Sequence, residues 1–268
     1  MSPIIHLVRH AEGVHNLGHA YWSLIDPLLT ETGRGQCLRL RQDFPNHDNV
    51  ELVVSSPLSR AILTAAEGFK PVSHSQPARQ LVLLPDLQEI SDFPCDVGSE
   101  VEELKARARN WDVSIDWSFV HEGWTSKTGR YKPVTESIED RARAVRQWLN
   151  QRPEKEIVVV SHGAFLHFLT EDWEDSYTHE GTGWSNAEYR TYVLEPKTSG
   201  VDDVSFVETG ESRRRRGKTD PVPAEEQVGL YVMALQEWGR QGYLLSAEDR
   251  GTVSKDGCID EVVYINQD

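Results

Sequence analysis

The sequence predicts an α/β protein built as a three-layer α/β/α sandwich around a mostly parallel central sheet. Continuous Val/Ile/Leu runs alternate with helical segments through the first two thirds of the 268 residues. Runs that are apolar on both faces are typical of parallel strands covered by helices on each side. The chain has no internal repeat, and its 38% hydrophobic content with eight tryptophans is enough for a sizeable core.

Five apolar runs predict the strands. The last of them, AEYRTYVLEP at 187–196, alternates between apolar and polar residues, which indicates an edge strand with antiparallel pairing as the expected arrangement. The other four are continuous, as expected of buried parallel strands. They lie at IIHLVRH (4–10), ELVVSS (51–56), RQLVLLPDLQEI (79–90) and EIVVVSHG (156–163).

Helical segments lie between and after these strands. Thr30 is a plausible N-cap for the first helix, and Pro57 is acceptable in the first turn of the second. Ser99 and Glu102 have the spacing of a capping box at the start of the third. The last two helices are amphipathic. The five predicted helices cover 29–44, 57–69, 99–111, 135–151 and 224–242.

Two stretches fit the alternation poorly. Residues 111–135 are rich in Trp without periodicity, which indicates an inserted loop or lid, and residues 196–222 are typical of a mobile segment. We therefore predict a main domain over 1–195 with a lid insertion at about 91–135. Residues 196–268 are predicted to form a mobile linker and a C-terminal helical extension that packs on the same domain.

Charge and composition narrow the classes of partner. The net charge of −15 repels nucleic acid and anionic membranes at long range, so neither is an expected partner. No apolar stretch approaches the ~20 residues of a membrane span, and no signal-peptide pattern opens the chain; we expect a cytoplasmic protein. Cys37, Cys95 and Cys258 are far apart and predict neither a zinc site nor a disulfide framework. No feature specifies an oligomeric state.

The basic run RRRRGK at 213–218 has two interpretations. The four arginines at 213–216 resemble a nuclear-import or polyanion-binding patch. The alternative, which we favour, is a solvated basic loop that offsets an acidic chain.

Polar residues follow the predicted strands where each one ends. Because ligands bind outside the carboxyl ends of strands in open α/β sheets, these residues are expected to share a site. The first strand delivers Arg9 and His10, and the second delivers Ser55 and Ser56 with Arg60 one turn later. The third leads to Glu89, and the strand at 156–161 delivers His162 and Gly163.

Two histidines, two arginines and a carboxylate suit phosphoryl transfer. Guanidinium groups grip phosphate oxygens bidentately and stay charged, and a neutral imidazole is a competent nucleophile toward phosphorus. A second imidazole can donate a hydrogen bond to the phosphoryl oxygens, and a carboxylate can protonate the leaving oxygen and then activate water. This set needs no metal, and no Cys/His/carboxylate spacing indicates one, so the sequence predicts no metal and no cofactor.

Four segments of the chain resemble the histidine phosphatase superfamily, also called the phosphoglycerate mutase-like family. LVRHAEGVHN is similar to its RHG signature. The other three, in the family's usual order, are VVSSPLSRAILTA, LQEIS and VVVSHGAFLHFL. The resemblance covers roughly residues 4–195, and its four-part form is far more specific than any single short motif.

The resemblance implies a role for each matching residue. It implies that His10 is phosphorylated, that Arg9, Arg60 and His162 form the phosphate pocket, and that Glu89 is the proton donor and acceptor. Further pocket positions are Asn16, Ala11, Gly163 and, as a weaker candidate from GWSNAEYRTY, Asn186. Two positions depart from the family pattern: Ala11 stands where Gly is usual, and His15 where many members have an aromatic residue.

Three functions remain open at this stage. The leading one is a cofactor-independent phosphatase for a small-molecule phosphate ester. A phosphoglycerate mutase would need extra basic residues in the lid, and 111–135 offers only Lys127, Arg130 and Lys132 among acidic neighbours. The third, a non-catalytic module that binds phosphorylated ligands, is disfavoured because every catalytic position is present.

Tryptophans near the site also have two interpretations. They either pack the inserted segment or line an apolar entrance for a substrate with a hydrophobic body. The four residues concerned are Trp111, Trp117, Trp124 and Trp184.

Overall fold

A seven-stranded sheet with helices packed on both faces confirms the predicted three-layer α/β/α class. The computed structural model describes residues 2–45, 47–69, 80–177, 182–197 and 203–245. Cys258 and the end of the C-terminal extension lie outside these residues.

The strands are β1 (Ile4–Arg9), β2 (Leu52–Ser55), β3 (Leu81–Leu83), β4 (Ile115–Asp116), β5 (Glu156–Ser161), β6 (Tyr189–Pro196) and β7 (Val204–Glu208). They follow the order β4-β3-β2-β5-β1-β6-β7 across the sheet. The five strands from β4 to β1 run parallel to one another, whereas β6 pairs antiparallel with both β1 and β7.

Seven α-helices cover the two faces of the sheet in the described part of the chain. They are α1 (Glu31–Asp43), α2 (Ser59–Gly68), α3 (Val101–Ala108), α4 (Thr135–Asn150), α5 (Gly163–Thr170), α6 (Gly210–Arg215) and α7 (Ala224–Arg240). Successive strand residues point to opposite faces, so each strand feeds two cores. Val159 of β5 packs with α4, α5 and α7, whereas Val158 and Val160 pack with α1, α2 and α3.

The sheet extends further than the sequence predicted. The segment 187–196 is antiparallel to β1, as expected, but it is not an edge strand, because β7 pairs with its outer side. β7 and α6 both fall within 196–222, where we predicted no element. The segment that we predicted as a lid insertion also reaches the sheet, since β4 pairs with β3.

Helix starts agree with the sequence in one case and differ in two. Thr30 is the N-cap of α1, and its hydroxyl accepts a hydrogen bond from the Gly33 amide at 2.9 Å. The capping box at Ser99 is wrong, because α3 begins at Val101 and the Ser99 hydroxyl donates to Asp26 instead. Pro57 precedes α2 rather than lying in its first turn.

The basic run at 213–216 is not a solvated loop. Arg213, on α6, is 4% exposed. Its guanidinium and that of Arg216 bind the carboxylates of Glu174 and Glu208 at 2.9–3.4 Å. This network ties α6 to β7 and to the loop after α5, so two of the four arginines are structural.

The structure gives packing contacts for all four tryptophans. Trp124 and Trp184 are buried, and the Trp124 ring lies where a side chain on Gly98 would stand. These two pack the domain rather than line an entrance. Trp111 and Trp117 are half-buried and pack on the same face of the sheet as α2.

None of the described helices combines the length and the apolar character that crossing a bilayer requires.

Candidate active site

Three neighbouring strands end at one point of the sheet and deliver the predicted residues there. Arg9 at the end of β1 pairs with Ser161 at the end of β5, and the His10 amide donates to the Ser161 carbonyl at 2.9 Å. The Ser56 amide, just past β2, donates to Val160 at 2.9 Å. His10, Ser56 and His162 are therefore adjacent because their strands are adjacent.

His10 is held in one orientation by its own backbone. Its Nδ1 lies 2.7 Å from the Ala11 carbonyl oxygen. A carbonyl only accepts, so Nδ1 carries the hydrogen and Nε2 keeps its lone pair. That Nε2 faces Nε of Arg60 at 3.3 Å. Burial, followed by the charge of Arg60, lowers the pKa of His10 well below its usual value, so the ring is neutral at pH 7.

Arg60 is fully buried and fixed by two acceptors. One terminal nitrogen donates to the Cys95 carbonyl at 2.6 Å, and the other donates to the Asp96 carboxylate at 2.7 Å. The second nitrogen also lies 3.2 Å from Nδ1 of His162. The guanidinium is thus locked between the two imidazoles, whose ring centres are 5.1 Å apart.

His162 is neutral as well. A guanidinium only donates hydrogen bonds, so Nδ1 of His162 accepts from Arg60. Nε2 of His162 therefore carries the hydrogen and donates to the Ser56 hydroxyl at 2.8 Å. Burial, then the Arg60 charge, lowers the pKa of His162 well below its usual value.

Glu89 lies against the first turn of α5. Its carboxylate accepts from the amides of Ile90 at 2.9 Å, Phe165 at 3.0 Å and Ala164 at 3.3 Å. Burial and the nearby charge of Asp96 nevertheless raise the pKa of Glu89. A carboxyl with a raised pKa is suited to giving and taking a proton near neutral pH.

Two acidic neighbours do not compete with Glu89 for this role. Asp86 is fully buried and forms an ion pair with Arg130 of the lid. Asp92 is exposed.

Arg9 and Gly163 lie side by side at the ends of β1 and β5. Arg9 donates to the carbonyl of Trp184, and its buried Nε has no partner in the described part of the protein. A Cβ on Gly163 would stand 3.3 Å from that Nε and 2.0 Å from the Thr182 hydroxyl. Only glycine fits here, because a side chain would collide with the loop that faces Arg9.

The remaining pocket candidates lie at the edge of the site. The Asn186 amide donates to the His10 carbonyl at 3.0 Å and to the Asn16 side chain at 3.4 Å, and the Asn16 oxygen accepts from Gly13 at 3.0 Å. Ala11 is fully buried, and its amide donates to Thr64. Asn186, Asn16 and Ala11 therefore brace the loop that carries His10.

Sequence reasoning missed two carboxylates that position Arg60. Asp96 holds the guanidinium directly, and it is itself held by the Ser91 hydroxyl at 2.6 Å. Asp26 accepts from the amide and hydroxyl of Ser59 at 2.8 and 2.6 Å, which anchors the first turn of α2. Both lie outside the strand ends, and neither belongs to a short motif.

We expect Asp96→Asn to reduce kcat/KM by about 10- to 100-fold, the cost of losing one charge-assisted hydrogen bond at a buried guanidinium. Inhibition by orthovanadate should weaken in parallel, because the phosphate grip of Arg60 loosens. Asp92→Asn, four residues away and exposed, is the matched control and should leave both values unchanged. Equal effects of the two substitutions would contradict the positioning role.

Among the described residues, no group of three or more His, Cys, Asp or Glu side chains is placed to hold a metal ion. The absence of a cofactor stays a prediction.

Comparison with known proteins gives consistent matches. The histidine phosphatase superfamily (branch 1) matches residues 5–207. A phosphoglycerate mutase-like protein of Arabidopsis thaliana is 32% identical over 237 residues, 71% of this chain and 83% of the relative. Sedoheptulose 1,7-bisphosphatase of Saccharomyces cerevisiae is 28% identical over 187 residues, 65% and 68% of the two chains.

The fold also agrees with a solved structure. Ecdysone phosphate phosphatase from Bombix mori, in complex with tungstate, aligns with a TM-score of 0.50 at 13% identity, over 75% of this chain and 98% of that chain. The family match spans the sheet from β1 into β7 and includes all the strand ends described above. The chain therefore belongs to the histidine phosphatase superfamily and is a hydrolase of the phosphatase type.

Proposed function

We propose that the protein hydrolyses a small organic phosphate monoester through a phosphohistidine formed on Nε2 of His10. One observation carries this proposal: the bond from Nδ1 to the Ala11 carbonyl leaves the lone pair of Nε2 directed at the Arg60 guanidinium. A phosphate bound by that guanidinium meets a neutral, oriented nucleophile.

The proposed reaction has two steps. Arg9, Arg60 and His162 hold the phosphoryl oxygens while Nε2 of His10 attacks phosphorus and the ester oxygen leaves with a proton from Glu89. Water then attacks the phosphohistidine, Glu89 takes its proton, and the nitrogen–phosphorus bond breaks. Phosphate and a neutral His10 are restored, so protons and charges balance without a further reagent.

Release of inorganic phosphate from a broad panel of phosphate monoesters tests the overall activity. We expect turnover of several small esters. Absence of release from every ester in the panel would contradict the proposal.

Mutase activity is the second candidate, and the lid contacts favour hydrolysis over it. Of the cations in the 111–135 segment, Arg130 is paired with Asp86, and Lys127 donates to Gln88 at 2.7 Å. Lys127 also lies near Glu89 and Asp96, whose charges it partly balances. Following 3-phosphoglycerate by ³¹P NMR separates the candidates, since hydrolysis yields inorganic phosphate and a mutase yields 2-phosphoglycerate.

The pH dependence of kcat/KM should differ between two kinds of ester. An alkyl phosphate needs the protonated Glu89, so its rate should fall as the pH rises through the raised pKa of that carboxyl. A p-nitrophenyl ester should lack this alkaline limb. Since the pKa of His10 is lowered, neither profile should show an acid limb near 6.5 from the nucleophile. The same alkaline limb for both esters would remove Glu89 from the acid role.

Activity should survive prolonged dialysis against EDTA. The two arginines supply the positive charge that a metal would otherwise bring to the phosphoryl group, and the sequence has no metal-ligand spacing. Phosphate release before and after dialysis should agree within error. Loss of activity that magnesium restores would place the enzyme in a different mechanistic class.

A further inference from the structure

Three half-buried aromatic rings form a cluster beside the catalytic residues. Trp22, Phe93 and Tyr243 come from three separate parts of the chain, and their ring centres lie 4.9, 5.4 and 5.7 Å apart. The His19 ring adds to the cluster at 4.2 Å from Trp22. None of these residues has a part in the phosphoryl transfer described above.

Short backbone connections tie the cluster to the phosphate grip. Cys95 is the link: its amide donates to the Trp22 carbonyl at 3.0 Å, and its own carbonyl accepts from Arg60 at 2.6 Å. Phe93 is joined to Asp96 in the same way, because its carbonyl accepts from the Asp96 amide at 2.8 Å. The backbones of Trp22 and Phe93 are therefore fixed relative to the guanidinium.

Tyr243 brings the C-terminal extension to the site. After α7 the chain turns at Gly242, whose φ of +80° suits glycine, and a Cβ there would stand 3.3 Å from the Phe93 ring. The Leu245 amide then donates to Pro133 at 2.9 Å. Burial, with the charges of Asp96 and Glu89, raises the pKa of Tyr243, so the phenol stays neutral.

The surroundings of the cluster are apolar and acidic. Tyr21, Leu24 and Ile25, next to Trp22 in the chain, are 40%, 42% and 62% exposed. Asp92, next to Phe93, is exposed, whereas Asp96 is buried and ion-paired with Arg60. An aromatic wall binds flat apolar groups, and the carboxylate of Asp92 repels anions. A neutral, aromatic group fits this wall better than a carboxylate or a second phosphate.

We propose that Trp22, Phe93 and Tyr243 form the wall that binds the leaving group, and that they select phosphate esters of neutral aromatic alcohols. This inference rests on the proposed function and names its substrate class. It also gives the C-terminal extension a task, because one of the three rings belongs to it.

Esters with leaving groups of similar basicity test the wall separately from the chemistry. We would measure kcat/KM for 2-phenylethyl phosphate, propyl phosphate and 3-phosphoglycerate, which all leave as primary alkoxides. The wild-type protein should prefer the phenyl ester by about tenfold or more, as contact with aromatic side chains predicts. Equal rates, or a preference for the acidic ester, would overturn the inference.

Single Leu substitutions at the three positions should each reduce the ratio of phenyl to propyl rates by about three- to tenfold. Tyr231→Leu is the matched control: Tyr231 is also a half-buried tyrosine of the C-terminal extension, but its hydroxyl donates to Glu139 on α4. It should leave the ratio unchanged. Parallel losses on both esters would indicate that the rings only support the fold, and would overturn the proposal.

Binding of phosphonate analogues distinguishes failure of the wall from failure of the proposed function. Calorimetry with 2-phenylethylphosphonate and propylphosphonate should show the same preference without turnover. Preferential binding with no hydrolysis of any ester would keep the wall and contradict the phosphatase proposal. Hydrolysis without preference in either assay would keep the phosphatase proposal and contradict the wall.

Discussion

His10→Ala should abolish turnover, with a loss on the order of 10⁴–10⁶-fold in kcat, the scale seen when a covalent nucleophile is removed. The substitution removes the neutral Nε2 that faces Arg60, and with it the atom that we propose forms the covalent bond to phosphorus. The measurement is phosphate release from p-nitrophenyl phosphate at saturating substrate.

His47→Ala is the matched control for this substitution. His47 is half-buried, its ring hydrogen-bonds only to the Arg41 carbonyl among the described residues, and it precedes β2, whose other end leads to the site. It should leave kcat unchanged. Substantial turnover by His10→Ala would contradict covalent catalysis at this residue.

Glu89→Gln should lower kcat/KM on alkyl phosphates by about 10²–10⁴-fold, the usual cost of removing a general acid–base group. An alkoxide is too basic to leave without a proton, whereas p-nitrophenolate leaves readily. The loss in forming the phosphoenzyme from the nitrophenyl ester should therefore be much smaller. Gln keeps the shape of the side chain and can still accept from the amides at the start of α5.

Asp92→Asn is the control for proton transfer, since Asp92 lies three residues from Glu89 and is exposed. It should change neither rate. Equal losses on both esters in Glu89→Gln, or a larger loss in Asp92→Asn, would move the proton transfer to another residue.

The convergence of the candidate residues was predictable because parallel strands constrain it. Arg9, His10 and His162 each lie directly at the end of an apolar run, and the carboxyl ends of parallel strands lie at the same edge of a sheet. Arg60 follows β2 by about one helical turn, which predicts that it lies at the same edge of the sheet. Arg60 lies within hydrogen-bonding distance of both His10 and His162, and the two histidine rings lie close together. Arg9 donates instead to the Trp184 carbonyl.

The supporting contacts were not predictable, because they depend on the path of loops. Asp96 and Asp26 lie in stretches without periodicity, and their importance comes only from the tertiary contact with α2. The Ser99 capping box failed for the same reason: Asp26 takes the hydroxyl that would have capped α3. A buried carboxylate that needs hydrogen-bond donors overrides the local capping pattern.

The outermost strand, β7, was not predicted for a different reason. β7 is a five-residue strand next to a basic run, so its two buried residues, Val204 and Phe206, give only a weak alternation. The arginines beside it suggested solvent exposure, whereas Arg213 and Arg216 find their acidic partners on other elements. Ion pairs between distant segments leave no spacing in the sequence.

Rapid-quench trapping with a ³²P-labelled phosphate ester tests the central proposal most directly. The wild-type protein, mixed briefly with substrate and quenched in alkali, should carry label that is stable to base and labile to acid. Peptide mapping should locate that label on His10. Label on a serine, cysteine or carboxylate, or rapid turnover without any labelled enzyme in the first milliseconds, would contradict a phosphohistidine intermediate at this site.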